Sequence, residues 1–505
     1  MSNKQRLQEN NVRLEDNNDI LSSVLTKIEN APTARYIEPN KHISINTNQS
    51  LLVRPAPGYD GIKEVIIETH INEAVPEFTG HIDREGLKAI GYDDELIDIY
   101  QNNVNWDENL DDMFKLSVKD KSYYGLTQQD ILATKYNEEK MQDKLTYIPN
   151  FNFSGTKFSY AFQNYRKIIT IPKLDTSQVT SMEDSFQGCI SLLTIPKIDT
   201  SNVTSMSNMF SGCRSLRSVP KLDTSKVTNF GQAFESCHNL EEIPELNTGL
   251  STNFSQSFYG CFNLRKIKSI DTSSGMYMSA MFRDCHNLVE TPEIEARNAI
   301  SMENMFYNCY DLKKINLKNT NNVTTMSNMF QQCSSLKEIN YLDTSSVRTA
   351  NSLFQGCYNL KSVPPLNFQN VTDLLNCFNS CANLEEVEIT NLDTTTTIAQ
   401  MFTGCSSIRK IVIPETPNLV NATNAFLYCY LLEELDISKM NVTALTTFGS
   451  MFTSCGYRLP SGQLTKVYVK DEAAQNWVLT ASNGHPTTWS TANVIVAGSE
   501  QDLRA

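Results

Sequence analysis

The sequence predicts an α/β solenoid, and two observations predict it. All but one of its 13 cysteines fall on a ruler: Cys189, Cys213, Cys237, Cys261, Cys285, Cys309, Cys333, Cys357, Cys381, Cys405, Cys429 and Cys455, spaced by 24 residues until the last step. A phenylalanine stands three residues before each, from Phe186 to Phe452, and a degenerate first copy carries Phe162 with Tyr165 in the cysteine place. A fixed period of this length marks stacked repeats, here about thirteen turns. An isolated turn buries too little apolar surface to offset its ordering entropy, so the turns must stack to fold.

Ahead of the array, Leu7, Leu14, Leu21 and Ile28 recur every seven residues, with Asn11, Asn18 and Leu25 at the alternate seam positions. This heptad predicts a coiled coil over 1–30 whose oligomeric state is set by asparagine in the seam. A single amphipathic helix docked on another protein is the alternative. Residues 36–76 read as a small β module: Pro55-Ala56-Pro57-Gly58-Tyr59-Asp60-Gly61 supplies a turn, and Val65, Ile66 and Ile67 an apolar strand. Residues 77–150 are acidic and helical in pattern, a linker and cap for the first turn. Asp93, Asp94, Glu95 and Asp98 within them read as a solvated face rather than a catalytic cluster.

The solenoid spans 151–460. In one turn Val203, Met206, Met209, Phe210 and Cys213 recur at three- and four-residue spacing, which predicts one face of a short helix. Thr200, Ser201 and Asn202 are placed to cap its start. Gly188, Gly212, Gly260, Gly356 and Gly404, with Asp284 and Asn308 in the same slot, are placed to end it in a left-handed conformation. Leu216, Val219 and Leu222 then supply a short strand and bends. The cysteines are expected to be reduced and buried as small hydrophobes beside the phenylalanines. Cys377, four residues before Cys381, takes a core place that holds methionine in other turns. Residues 461–505 form a closing segment.

The recurring Leu-Asp-Thr-Ser-x-Val-Thr-x-Met-x-x-Met-Phe-x-x-Cys-x-x-Leu resembles the BspA-like leucine-rich-repeat family of bacterial surface proteins and phages. The tail Lys466-Val467-Tyr468-Val469-Lys470-Asp471, with Asn476-Trp477 and Thr488-Trp489, is similar to the segment that closes such arrays. The resemblance implies adhesion or partner binding, not chemistry. The Gly58-Tyr59-Asp60-Gly61 segment after an Asn-rich helix resembles small modules of phage tail and other virion proteins. These resemblances lead to a phage fibre or receptor-binding protein as the expected function, with a bacterial BspA-like adhesin as the alternative. A homo-oligomer follows from the heptad, and the resemblance to phage fibres favours a trimer. The N-terminal region would join other virion proteins, and the solenoid a host surface protein or glycan.

Other classes find little support. The net charge is −14, most of it in the first 150 residues, and no basic run exists to neutralise phosphates. No apolar stretch is long enough to span a bilayer, and the start lacks a secretory core, so export is not expected and release by lysis in a virion is. There is no nucleophile elbow, phosphate loop or His-Glu-x-x-His helix, and His42, His70, His81, His238, His286 and His485 are scattered, so neither enzyme, metal nor cofactor is expected. Asn-x-Thr triplets such as Asn202-Val203-Thr204 are by-products of the repeat.

The residue after each cysteine lies just past the turn and should leave the core. That place holds His238, Phe262, His286 and Tyr310 in consecutive turns and Tyr358 two turns later, while Tyr259 and Tyr307 stand two residues before their cysteines. This strip is the candidate ligand-binding surface, since aromatic residues are enriched at binding hot spots. The competing reading is that the rings pack on one another and cover the loop edge.

Overall fold

The computed structural model describes residues 158–171, 174–480, 484–499 and 501–502. The coiled-coil positions Leu7, Asn11, Leu14, Asn18, Leu21, Leu25 and Ile28, the β module and the acidic linker lie outside the described residues.

The chain winds as a β-solenoid with a repeat of about 24 residues. Phe162, Phe186, Phe210 and their successors to Phe452 form an unbroken column of near-parallel rings, with centroids from 5.2 Å (Phe354–Phe378) to 6.1 Å (Phe402–Phe426) apart. That column is the core axis, lined by the buried leucines, isoleucines and methionines of each turn.

The short helix expected before each cysteine is not formed. Within Met182–Cys189 the N–H groups of Met182, Asp184, Phe186 and Gly188 donate to Ser205, Ser207, Met209 and Ser211 of the next turn, at 2.7–3.0 Å. The intervening N–H groups of Ser185, Gln187 and Cys189 close three-residue turns onto Met182, Asp184 and Phe186. No donor is left for the carbonyl four residues back, which an α-helix requires. The cause is a left-handed residue every fourth position: φ is +54° at Asp184 and +73° at Gly188, and the pattern returns at Asn208 and Gly212. A coil of tight turns brings the same side inward every three or four residues, so it reproduces the helical spacing of the apolar side chains. The left-handed residues expected at Gly188, Gly212, Gly260, Asp284, Asn308, Gly356 and Gly404 are found there, and Ser236, Gln332, Ser380, Tyr428 and Ser454 adopt the same conformation before their cysteines; the left-handed residue four positions earlier interrupts the expected helix.

The expected caps have other partners. Thr200 is buried; its Oγ1 donates to the Asp223 carbonyl at 2.9 Å and accepts the Asp223 N–H at 2.7 Å, tying two turns together. Ser201 N–H donates to Asp199 Oδ1, and Asn202 Nδ2 to the Ser177 carbonyl one turn back.

Past each cysteine the chain extends. Parallel pairs join β1 (Glu242–Ile243) to β2 (Lys266–Ile267), β3 (Glu290–Glu295) to β4 (Lys314–Lys318), and β5 (Leu366–Asn367) to β6 (Ile389–Thr390). β7 (Lys410–Val412), β8 (Glu434–Asp436), β9 (Lys466–Val469) and β10 (Val494–Val496) form one parallel sheet in that order. On the exposed face of β1 to β4 and of β7 to β9, charges alternate from turn to turn: Glu242 registers with Lys266, Lys314 pairs with Glu290 at 2.5 Å, and Lys410 pairs with Glu434 at 2.7 Å.

All the cysteines are free and buried. Each Sγ–H from Cys189 to Cys455, Cys377 apart, donates to the carbonyl of the phenylalanine one turn back, as from Cys213 to Phe186 at 3.0 Å. The cysteine is thus a cross-turn donor as well as a small hydrophobe. Cys377 is fully buried in its methionine slot.

The far end closes on tryptophan. Asp471 caps α1 (Glu472–Val478) by accepting the Ala474 N–H at 2.8 Å. Trp477 from that helix meets Phe448 edge-on at 5.0 Å, and Trp489 lies 5.4 Å from Phe452, the last ring of the column. Among the described residues no helix is long and apolar enough to cross a membrane.

Candidate binding surface

The left-handed residue before each cysteine and the buried cysteine itself turn the next side chain outward, so the following position forms a column along the solenoid. Its backbone is held by parallel hydrogen bonds one residue on, from Asn263 to His238, Asn287 to Phe262 and Asp311 to His286, at 3.1–3.2 Å.

The rings of this column are in contact. His238 stacks on Phe262 with centroids 4.4 Å apart, Phe262 on His286 at 4.8 Å with planes 9° from parallel, and His286 tilts against Tyr310 at 5.0 Å. Interior faces are therefore occupied by neighbouring rings, and the strip presents ring edges outward. Phe262 and Tyr310 remain 36% and 40% exposed. The lattice ends at Ser334, and Tyr358, 46% exposed, stands alone on its far side.

Tyr259 and Tyr307 belong to a second column. Between them lies Arg283, whose guanidinium carbon is 5.5 Å from the Tyr259 centroid and 4.7 Å from that of Tyr307. Arg283 Nε also lies 3.5 Å from Asp284 Oδ2, and Asp284 Oδ1 accepts from Asn308 Nδ2 at 2.7 Å. Arg283 was not singled out from the sequence. Its signal is there, since it occupies the tyrosine position of the intervening turn, and a cation between aromatic faces is a favourable arrangement.

Electrostatics set the protonation of this surface. Burial, and then the Arg214 charge, lower the pKa of His238, which keeps its ring neutral at physiological pH. Burial, and then Asp284 and Tyr307, raise that of the Tyr310 phenol. Beside the rings runs an amide ladder, with Asn287 donating to Asn263 and Asn263 to Asn239, each at 3.2 Å. Stacked rings edged by amides can hold a partner through apolar contact and directional hydrogen bonds. Among the described residues no group of three or more His, Cys, Asp and Glu stands where it could hold a metal ion.

A parallel β-solenoid of stacked turns of about 24 residues, bearing an exposed aromatic and amide strip, defines a repeat protein. The chain belongs to the family described as Mycoplasma protein of unknown function, DUF285, whose profile matches residues 156–264, 215–317, 300–411 and 357–457. No curated protein matches its sequence. Among solved structures it is similar to a leucine-rich repeat protein from Bacteroides ovatus at 19% identity, covering 68% of this chain and 89% of that one with a TM-score of 0.44. It is also similar to a leucine-rich repeat protein from Eubacterium ventriosum (19% identity, 55% and 89% covered, TM-score 0.32). A leucine rich cell surface protein from Faecalibacterium prausnitzii gives 18% identity, 68% and 89% coverage, and a TM-score of 0.28.

Proposed function

We propose that the chain is an attachment protein, in which the solenoid displays the His238–Phe262–His286–Tyr310 strip to a surface protein or glycan. The observation that carries this reading is the strip itself: four ring-bearing residues stacked in register in four successive turns along the outside of the solenoid. Rigid rings lose little conformational entropy on binding. No catalytic role is assigned to any residue.

Two carriers suit such a protein. The BspA-like repeat motif supports a bacterial surface adhesin. The phage fibre reading rests on residues 1–76, where the heptad Leu7, Asn11, Leu14, Asn18, Leu21, Leu25 and Ile28 would form a homotrimer and join other virion proteins. An antibody against the solenoid separates them: the antigen co-sediments with the cell envelope in the first case and with nuclease-resistant particles in the second.

Adsorption of the purified chain to whole cells tests the shared reading. Replacing Phe262, His286 and Tyr310 together by alanine is expected to reduce adsorption at least tenfold while the melting profile stays cooperative. Unchanged adsorption by the folded variant would show that the strip is packing alone.

A further inference from the structure

The column of rings has a gap in it. His238, Phe262, His286 and Tyr310 fill four successive turns, Ser334 follows, and Tyr358 resumes the column. At a strand spacing of about 4.8 Å, the two tyrosines stand about 9.6 Å apart along the axis. A six-membered ring entering over Ser334 would lie about 4.8 Å from each, matching the 4.4–5.0 Å between rings already stacked.

The same three turns carry a second anomaly. Four residues past each cysteine stand Lys313, Lys337 and Lys361, all exposed, three like charges in consecutive turns. Like charges directly opposite one another on adjacent strands destabilise a sheet. The neighbouring column does the reverse, alternating Glu290, Lys314 and Glu338, with Lys314 engaged by Glu290. Lys361 pairs with Glu385 at 3.3 Å, but Lys313 and Lys337 make no ion pair among the described residues. Between the aromatic column and the lysines stand Asp311, Ser335 and Asn359, the last accepting from Asn383 Nδ2 at 3.2 Å.

From these two features, and resting on the attachment reading above, we infer that Tyr310, Ser334 and Tyr358 form a clamp for one anionic pyranose of a surface glycan, with Lys313 and Lys337 meeting its acidic group. A pyranose has two weakly polar faces to lie against tyrosine rings and a rim of hydroxyls for Asp311 and Ser335. Its carboxylate or sulfate relieves the repulsion along the lysine column. A purely apolar side chain would satisfy the slot and leave the lysines unpaired.

The test uses the full chain with methyl glucuronide, N-acetylglucosamine 6-sulfate and neutral methyl glucoside as probes, followed by saturation-transfer NMR and titration. At least one anionic sugar is expected to bind five-fold or more tightly than methyl glucoside, and whether glucuronide or sulfate binds better identifies the acidic group. Ser334→Phe, which continues the column with the residue that Phe262 places there two turns before Tyr310, should abolish binding with an unchanged melting temperature. If that variant is destabilised, Tyr358→Ala should give the same loss. Lys337→Gln should remove the anionic preference and spare the neutral sugar. The clamp is overturned if no pyranose binds, if neutral and anionic sugars bind equally, or if folded Ser334→Phe binds as the parent does. Cell adsorption measured alongside keeps the two readings apart: adsorption without sugar binding sinks the clamp and leaves the attachment role, and loss of both sinks both.

Discussion

The Sγ–H of Cys309 donates to the Phe282 carbonyl at 3.0 Å, and that same oxygen accepts the N–H of Cys285 at 3.1 Å. One oxygen thus serves two successive turns, and the donor from the later turn must be a protonated thiol. Burial pushes the thiols of Cys261, Cys309, Cys357, Cys405 and Cys455 well above their ordinary range. A thiol-specific reagent should therefore find almost no reactive cysteine in the native protein and close to 13 after denaturation. Rapid native-state labelling of many sites would refute the arrangement.

The same shifts fix the sign of an alkaline effect. Thiols in the unfolded chain ionise near about pH 8.5, while the folded ones stay protonated to higher pH. Their contribution is complete below that value and is lost as pH rises past it, by up to about 1.4 kcal/mol per pH unit for each thiol. A melting temperature that is level from about pH 6 to 8 should fall steeply above about pH 9.

Phe306 stacks between Phe282 and Phe330, with centroids at 5.7 and 5.6 Å. Phe306→Ala should cost about 3–5 kcal/mol through the cavity it leaves. Because each turn contacts only its neighbours, hydrogen exchange should accelerate around that turn first, leaving the ends of the array protected. Uniform loss of protection would contradict the nearest-neighbour architecture.

Asp184 has its pKa pushed up to about 6 by burial and then by the Glu183 charge. A carboxylate raised in the folded state contributes its stability at low pH and loses it as pH climbs through that value. Asn208 and Asn304 occupy the same place with nearly the same backbone, φ +54° and +57°. Asp184→Asn should thus stabilise the protein by on the order of 1 kcal/mol at about pH 7.5 and by nothing near pH 3.5, read from denaturant midpoints.

Ala280 sits at φ +54°, where the first turn has Tyr160 and the others use Asn, Gln, Asp or Ser. A Cβ in this region costs about 1 kcal/mol that glycine avoids. Ala280→Gly should therefore raise stability by up to that amount, and a loss would mean that its buried methyl contributes more than its backbone costs.

The cysteine ruler and the phenylalanine three residues before it were enough to read the solenoid, its period and its core from the sequence. What they concealed was the path between them. A left-handed position four residues before Gly212 or Gly188 is held by Asn208 or Asp184, residues that also suit a helix surface, so only hydrogen bonding to the next turn distinguishes the two paths. For the surface, the outward direction of His238, Phe262, His286 and Tyr310 was legible. Their mutual stacking was not, because ring orientation depends on side-chain torsions that spacing does not encode. Arg283 and the lysine column were visible as letters and gained meaning only once adjacent turns were seen to lie in contact.

The turns are close to interchangeable in their apolar content, which poses a problem of counting. A folding chain could loop out one turn and stack the next in its place, with phenylalanine still on phenylalanine. The charges alternating along β1 to β4 oppose that error. Omitting the turn that contains Lys266 would set Glu242 beside Glu290, and omitting the one that contains Glu290 would set Lys266 beside Lys314. Each exposed pair is worth at most about 1 kcal/mol, yet the sign reverses at every skip. The column works as a parity check, penalising a miscounted stack that the hydrophobic core could not recognise.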